Sequence, residues 1–186
     1  MEINKPQGFD DLNVNDGDFA PIQLGGHKLV IMALEELTSS NGNKYLKVTF
    51  DTDKDDIQPN YYSEQFKNDT RENKKWSGVS VIFPTDKEGN ASKTFKQFCT
   101  SIEKSNNSKI QWGQGFENSI LNKKIGGVFG EEEYLSNGEV KTARKLFWWR
   151  STENVLEAKI PNKREVQKED ADGFINVPNN IEELPF

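Results

Sequence analysis

Residues 39–51 read SSNGNKYLKVTFD, a turn signal followed by a strand signal. Asn41-Gly42 predicts a tight β-hairpin, since these residue types accept the left-handed backbone that such turns require. From Lys44 onward, polar and apolar residues alternate at a period of two, which predicts a strand with one buried face. The apolar positions are Leu46, Val48 and Phe50, and the polar positions are Tyr45, Lys47 and Thr49. The stretch therefore predicts a half-buried second strand, with Tyr45 and Lys47 facing outward.

Four more strands and one helix are predicted around this hairpin. The strands are residues 27–34, 76–83, 124–134 and 140–150, the last two joined by a second Asn-Gly turn. One apolar helical stripe is formed by Phe95, Phe98, Cys99 and Ile102. We expect this helix to be capped by Asn90 or Ser92 and to end near Lys104.

The order of these elements predicts the fold. Three strands, a helix and two strands form the element order of an OB-fold, a five-stranded, partly open Greek-key barrel. Gly126, Gly127 and Gly130 suit sharp bending or close backbone approach in a small barrel. Other small β-barrels share this order, because element order alone does not determine topology. We therefore expect a mostly β protein, an OB-fold with one helix between strands 3 and 4.

The charge distribution divides the chain into three parts. The net charge of −6 comprises −4 in residues 1–24, +1 in residues 25–160 and −3 in residues 161–186. Binding follows local potential rather than total charge, so the acidic ends do not exclude a nucleic-acid ligand for the near-neutral middle. We expect residues 1–24 to form an N-terminal arm, residues 25–160 the OB-fold domain and residues 161–186 a flexible acidic C-terminal tail.

The sequence offers little for catalysis. Cys99 and His27 are the only residues of their types, which excludes an internal disulfide and leaves any histidine-based metal site or triad with one residue. The carboxylates of residues 51–56 lack the spacing of a calcium loop, and those of residues 131–133 alternate across a strand. We therefore expect no enzyme activity, no cofactor and no metal site. Without an apolar membrane span or a signal peptide, the chain is expected to be cytoplasmic.

Aromatic and cationic residues are mixed in three stretches, near residues 44–47, 61–76 and 144–150. Single-stranded nucleic acid is bound by this combination, because cations follow the phosphates while flat rings stack on bases. In an OB-fold the face of strands 2 and 3 and the loops beside it bind in this way. The predicted DNA contacts are Tyr45, Lys47, Tyr62, Phe66, Lys74, Lys75, Trp76, Trp148 and Arg150. Outward tyrosines and lysines also occur on ordinary solvated strands, and Trp76 is equally compatible with a core position.

The last strand carries two adjacent tryptophans. Strict alternation places Ala143, Phe147 and Trp149 on one face and Arg144, Leu146, Trp148 and Arg150 on the other. One tryptophan should therefore be buried and the other exposed. We expect Trp148 to be the exposed one, because two arginines share its face.

The sequence closes with an acidic and apolar segment: Glu182, Glu183, Leu184, Pro185 and Phe186. Such a segment can fill an apolar pocket of a partner whose rim is basic. Its layout resembles the C-terminal tip of bacterial single-stranded DNA-binding proteins, which recruits replication and repair proteins. The resemblance implies that these five residues bind partner proteins.

The body of the chain resembles a family of bacteriophage and mobile-element proteins predicted to bind single-stranded DNA. The likeness covers roughly residues 17–155 and lies mainly in residues 42–50, residues 123–128 and the strand leading to Phe147 and Ser151. The resemblance implies an OB-fold without catalysis that takes part in DNA replication or recombination in the bacterial host cytoplasm.

We therefore expect a protein that binds and protects single-stranded DNA without sequence specificity and recruits replication or recombination proteins. No membrane partner is expected, and a homo-oligomer is compatible with this role. The alternative is a protein-interaction adaptor on the same barrel, without nucleic-acid affinity. The near-neutral charge of residues 25–160 keeps that alternative open.

Overall fold

The structure, a computed structural model, describes residues 4–9 and 19–166. Its main element is one sheet of five antiparallel strands. The strands are β1 (Gly25–Thr38), β2 (Lys44–Thr52), β3 (Val79–Ile82), β4 (Lys124–Ser136) and β5 (Glu139–Arg150). The helices of the described residues are α1 (Tyr61–Asn68), α2 (Lys93–Asn106) and α3 (Phe116–Ile120). The mostly β, five-stranded prediction is confirmed, but the single predicted helix is one of three.

The strands follow each other across the sheet in the order β3-β2-β1-β4-β5. Three successive strands are neighbours, and β4 returns through a long connection to lie beside β1, which is the Greek-key arrangement. β5 then folds back on β4 as a hairpin. The two edges of the sheet are therefore β3 and β5.

The sheet coils around one core. β2 and β5 are three places apart, which is about 14 Å in a flat sheet, yet the ring centroids of Phe50 on β2 and Trp149 on β5 are 5.8 Å apart. α2 closes this core with the apolar stripe predicted from the sequence. Phe98 and Ile102 are fully buried, and the ring of Phe98 lies 5.1 Å from that of Trp149. Ser92 caps α2, since its side chain accepts the N–H of Phe95.

A short segment after β5 crosses the outer side of the sheet at two glycines. A Cβ atom on Gly26 would lie 1.5 Å from the carbonyl oxygen of Val155, and one on Gly126 would lie 2.6 Å from that of Ser151. No side chain fits at these positions, because backbone occupies the space. Close backbone approach, one of the two roles predicted for Gly126, is confirmed.

α1 lies in a region predicted to be a loop. Asn60 precedes the helix but makes no capping side-chain bond. The cap comes instead from β2: Thr52 Oγ1 accepts the N–H of Tyr61 at 2.8 Å, and Asp51 Oδ1 accepts that of Tyr62 at 2.8 Å. Because these acceptors lie about ten residues upstream, no local capping pattern marks the helix in the sequence.

A bulge changes which side chains of β5 face the core. The pairing register shifts between Val128 and Phe129 of β4, and as a result Leu146 and Trp149 both pack against the core. Residues three apart in a regular strand lie on opposite faces, so the predicted alternation is wrong for Leu146. Trp149 is 3% exposed and Trp148 is 43% exposed, which confirms Trp148 as the surface tryptophan.

Residues beyond both ends of the predicted domain, residues 25–160, also pack against it. Ile22 is buried in the core. Arg164 pairs with β4 in a parallel bridge, where its N–H donates to the carbonyl of Glu131 at 2.9 Å. The Arg164 guanidinium lies 3.8 Å from the ring centroid of Phe147. No helix among residues 4–9 and 19–166 is long and apolar enough to cross a membrane.

A buried hydrogen bond joins β1 to the segment after β2. His27 Nδ1 lies 2.7 Å from Asp56 Oδ2, and both side chains are fully inaccessible to solvent. Asp56 also accepts the backbone N–H groups of Lys28 at 2.7 Å and Gln58 at 3.0 Å. Burial acts to raise the pKa of Asp56, but the hydrogen bonds from His27 and the two N–H groups outweigh it and lower that pKa.

Replacing Asp56 by Asn tests this contact. We expect D56N to lower the free energy of unfolding at neutral pH by about 1–3 kcal/mol, the usual cost of leaving a buried hydrogen-bonding group without its proper partner. The ionised Asp56 supplies stability that is fully present above its unfolded pKa of about 3.9 and is lost as the pH falls through its lower folded pKa.

Urea unfolding at several pH values measures both effects. The exposed acid Glu72 provides the control, since Glu72→Gln should leave stability and its acid dependence nearly unchanged. Wild-type stability in D56N would show that the contact contributes nothing.

Candidate nucleic-acid interface

The outward face of β2 and β3 carries an aromatic pair at one end. Leu46, Val48 and Phe50 point into the core, so Tyr45 and Lys47 point outward, as predicted. The ring of Tyr45 lies 5.7 Å from that of Phe83, which directly follows β3 and is 46% exposed. We call this outward face of the two strands the β2–β3 ribbon. Tyr45 and Phe83 present flat apolar surface at its first end.

The lysines of β2 are paired with acids of β1. Lys47 Nζ lies 3.0 Å from Glu35, and Lys44 Nζ lies 2.7 Å from Glu36. Both pairs are substantially exposed to solvent, and such pairs contribute only about 0–1 kcal/mol. A phosphate can therefore replace Glu35 as the partner of Lys47 at little cost.

A second aromatic group lies at the other end of the ribbon, between α1 and the segment that precedes β3. Phe66 and Trp76 have ring centroids 5.7 Å apart, and the ammonium of Lys74 lies 4.6 Å from the centroid of Phe66. Trp76 is held in place because its Nε1–H donates to the carbonyl of Phe50 at 3.1 Å. From Tyr45 to Phe50 the strand spans about 17 Å at about 3.4 Å per residue.

An open groove runs beside this second group. It consists of two adjoining depressions of about 390 and 370 Å³ that share Gln65 and Ser77. Lys75 lines the first depression and Arg144 of β5 lines the second. Arg71 also lines the first, and its guanidinium hydrogen bonds lower the pKa of Asp69 to about 2. The groove thus joins the second predicted stretch to the third, and its cations are accompanied by the acids Asp69 and Glu131.

Tyr62 lines the second depression of the groove but is largely buried. It is 7% exposed, and its ring packs edge-on against Phe50 at 5.4 Å and Tyr61 at 5.0 Å. Burial raises the pKa of Tyr62, as expected for a phenol in an apolar setting. A ring buried to this extent offers little surface to a base, and Tyr62 as a DNA contact stays a prediction.

Trp148 and Arg150 lie elsewhere, on the exposed side of β5. Trp148 contacts Phe147 at 6.1 Å, and Arg150 is opposite Gly126 in the strand pairing. Within the described part of the chain, no ring contact, hydrogen bond or ion pair links these two residues to the β2–β3 ribbon. The structure thus separates the predicted residues into the two ends of the ribbon and this third position.

Sequence reasoning missed Phe83 and the groove arginines. Phe83 was assigned only as the end of a strand, although Val81 and Phe83 alternate with buried Ile82 in the same pattern that placed Tyr45 outward. Arg71 and Arg144 are far apart in the sequence, and no local pattern predicts that they line adjoining depressions.

The acidic and sulfur-containing groups near these elements have structural partners. Asp53 pairs with Lys124 at 3.0 Å, while Asp51 and Asp56 accept the hydrogen bonds described above. Among the described residues, no group of three or more histidine, cysteine or acidic side chains is arranged to hold a metal ion. Cys99 is buried on α2, and burial raises the pKa of its thiol to about 11.

The predicted partner-binding segment at residues 182–186 lies outside the described residues and stays a prediction. No protein-family model matches the chain, and no curated protein matches it in sequence.

The two tryptophans of β5 provide a matched test of which ring is buried and which is exposed. Trp149→Ala should lower the free energy of unfolding by about 3–5 kcal/mol, because it empties the space between Phe50 and Phe98. Trp148→Ala should cost about 1 kcal/mol or less, since its side chain is 43% exposed and lies outside the core cluster. Chemical denaturation of both variants checks this, and equal losses would show that Trp148 is also a core residue.

Proposed function

We propose that this protein is an OB-fold protein that binds and protects single-stranded DNA without sequence specificity. The observation that carries the proposal is the β2–β3 ribbon. It carries the ring pair of Tyr45 and Phe83 with Lys47 at one end, and Lys74 and Lys75 beside the partly buried rings of Phe66 and Trp76 at the other. We place this activity in the DNA replication or recombination of a bacteriophage or mobile element, as the family resemblance implies.

The topology supports an OB-fold. The order β3-β2-β1-β4-β5 contains a Greek key closed by a fifth strand, and the sheet coils around one core with α2 covering it. An OB-fold is a five-stranded, partly open Greek-key barrel whose face of strands 2 and 3 binds oligonucleotides. The β2–β3 ribbon is this face, and the predicted contacts Tyr45 and Lys47 lie on it.

The binding mechanism follows from the two chemistries of the ribbon. Tyr45 and Phe83 offer flat rings on which bases stack, at about 1–3 kcal/mol per base. Lys47, Lys74 and Lys75 provide ammonium groups for the phosphates that link those bases. Rings and long cations do not read base edges, so the proposed binding is independent of sequence.

The first experiment is a titration with oligo-dT followed by intrinsic tryptophan fluorescence. We expect quenching by the single strand, a weaker affinity at higher salt, and little response to a duplex of equal length, because stacking needs unpaired bases. A gel-shift assay confirms the result. No response at low salt in both assays would overturn DNA binding and favour a protein-interaction adaptor.

Tyr45 separates stacking from general effects on the fold. Tyr45→Ala should weaken binding of oligo-dT about 5- to 150-fold, the equivalent of about 1–3 kcal/mol for one stacked base. Tyr45→Phe keeps the ring and should bind nearly as the wild type does. If both variants lose affinity equally, the hydroxyl rather than the ring is responsible, and base stacking at Tyr45 is excluded.

A further inference from the structure

A third aromatic group, absent from the predicted contacts, lies between α2 and α3. Trp112 is 68% exposed, which is the highest value among the exposed large apolar side chains of the described residues. Its ring stacks on Phe116 with centroids 5.5 Å apart and an interplanar angle of 22°. Phe95 of α2 lies 6.2 Å from Trp112 and 6.0 Å from Phe116. These three residues are the α2–α3 platform.

The platform is rigidly supported from below. Phe95 and Phe116 are partly buried and pack against the hydrophobic core, whereas Trp112 rests on them and exposes most of its indole. Single exposed apolar side chains are common on protein surfaces and need no explanation. A solvent-exposed tryptophan stacked on an anchored ring is a different case, because it presents a flat face at low entropic cost.

One residue connects the platform to the β2–β3 ribbon. Ser92 donates its hydroxyl to the carbonyl of Phe83 at 2.5 Å and accepts the N–H of Phe95 at 3.1 Å. The N–H of Ser92 donates to the carbonyl of Pro84 at 2.9 Å. Ser92 therefore joins the backbone at the end of the ribbon to the first turn of α2, which carries Phe95 of the platform.

The first turn of α2 adds unpaired positive charge along this route. Lys93 and Lys96 are exposed, and no hydrogen bond or ion pair engages their ammonium groups within the described ranges. Two nearby acids are already occupied: Asp86 accepts backbone N–H groups of its own turn, and Glu103 accepts from Ile110 and pairs with Lys109. Two further acids carry opposing charge nearby in the chain, Glu88 in the turn before α2 and Glu117 next to Phe116.

We propose that single-stranded DNA continues from Phe83 past the first turn of α2 and stacks a further base on the α2–α3 platform. This inference rests on the proposed function and extends its site. A strand that is just long enough to cover the ribbon would not reach Trp112, whereas a longer strand would. The contribution of Trp112 must therefore depend on the length of the DNA.

The test compares Trp112→Ala and Trp112→Phe with the wild type, using oligo-dT of about 5 and about 16 nucleotides, the range of site sizes for one OB-fold. We expect Trp112→Ala to weaken binding of the long strand at least about five-fold and to leave the short strand unchanged. Trp112→Phe keeps a stacking ring, so it should bind the long strand nearly as the wild type does. It should also lose part of the fluorescence quenching, and only with the long strand.

The outcomes are distinguishable. If the wild type binds neither strand, the proposed function fails and the extension fails with it. If the wild type binds both and the two variants match it at both lengths, the extension is overturned while DNA binding stands. Equal weakening of both strands would also overturn it, because Trp112 would then support the fold rather than the far end of the path. Circular dichroism of both variants checks folding.

Discussion

The ring of Phe50 is the contact on which the rest of the structure depends. It touches Tyr62 of α1 at 5.4 Å, Phe129 of β4 at 6.4 Å and Trp149 of β5 at 5.8 Å. Through these contacts, one residue of β2 brings together elements that are separated by up to a hundred positions in the chain. Aromatic pairs in these tilted and edge-on geometries add about 0.5–1.5 kcal/mol each beyond the apolar area that they bury. The sheet coils because its distant strands must both reach this ring.

The position of Phe50 also determines what β2 presents to solvent. Since side chains alternate along a strand, an inward Phe50 places Tyr45 and Lys47 outward on the opposite face. The backbone of the same residue fixes the far end of the ribbon, because its carbonyl receives the indole N–H of Trp76. The buried core and the candidate interface are thus two faces of the same short strand, and a slip of one residue in register would exchange them.

The sequence was informative where the structure follows from local periodicity. The Asn-Gly hairpins, the alternation of β2, the stripe of α2 and the exposure of Trp148 all depend on residues within a few positions of one another. It failed where distant residues decide the outcome. α1 is capped by side chains of β2, Tyr62 is buried by Phe50, and Leu146 turns inward because a bulge changes the register of β5. Each of these requires the tertiary contact to be known first.

The electrostatics of the ribbon indicate how such a surface would hold a polyanion in a near-neutral domain. Two of its cations are already engaged, Lys47 by Glu35 and Lys74 by the face of Phe66, whereas among the described residues no ion pair engages the exposed Lys75. Phosphate contacts of the two engaged lysines would therefore exchange one partner for another and contribute little net energy, since exposed pairs are weak in both states. The rings are different, because bases would meet flat aromatic faces, and a tyrosine or phenylalanine ring loses little conformational freedom on binding. Stacking rather than charge would then supply most of the affinity, and the dependence of binding on salt would be shallow for a DNA-coating protein.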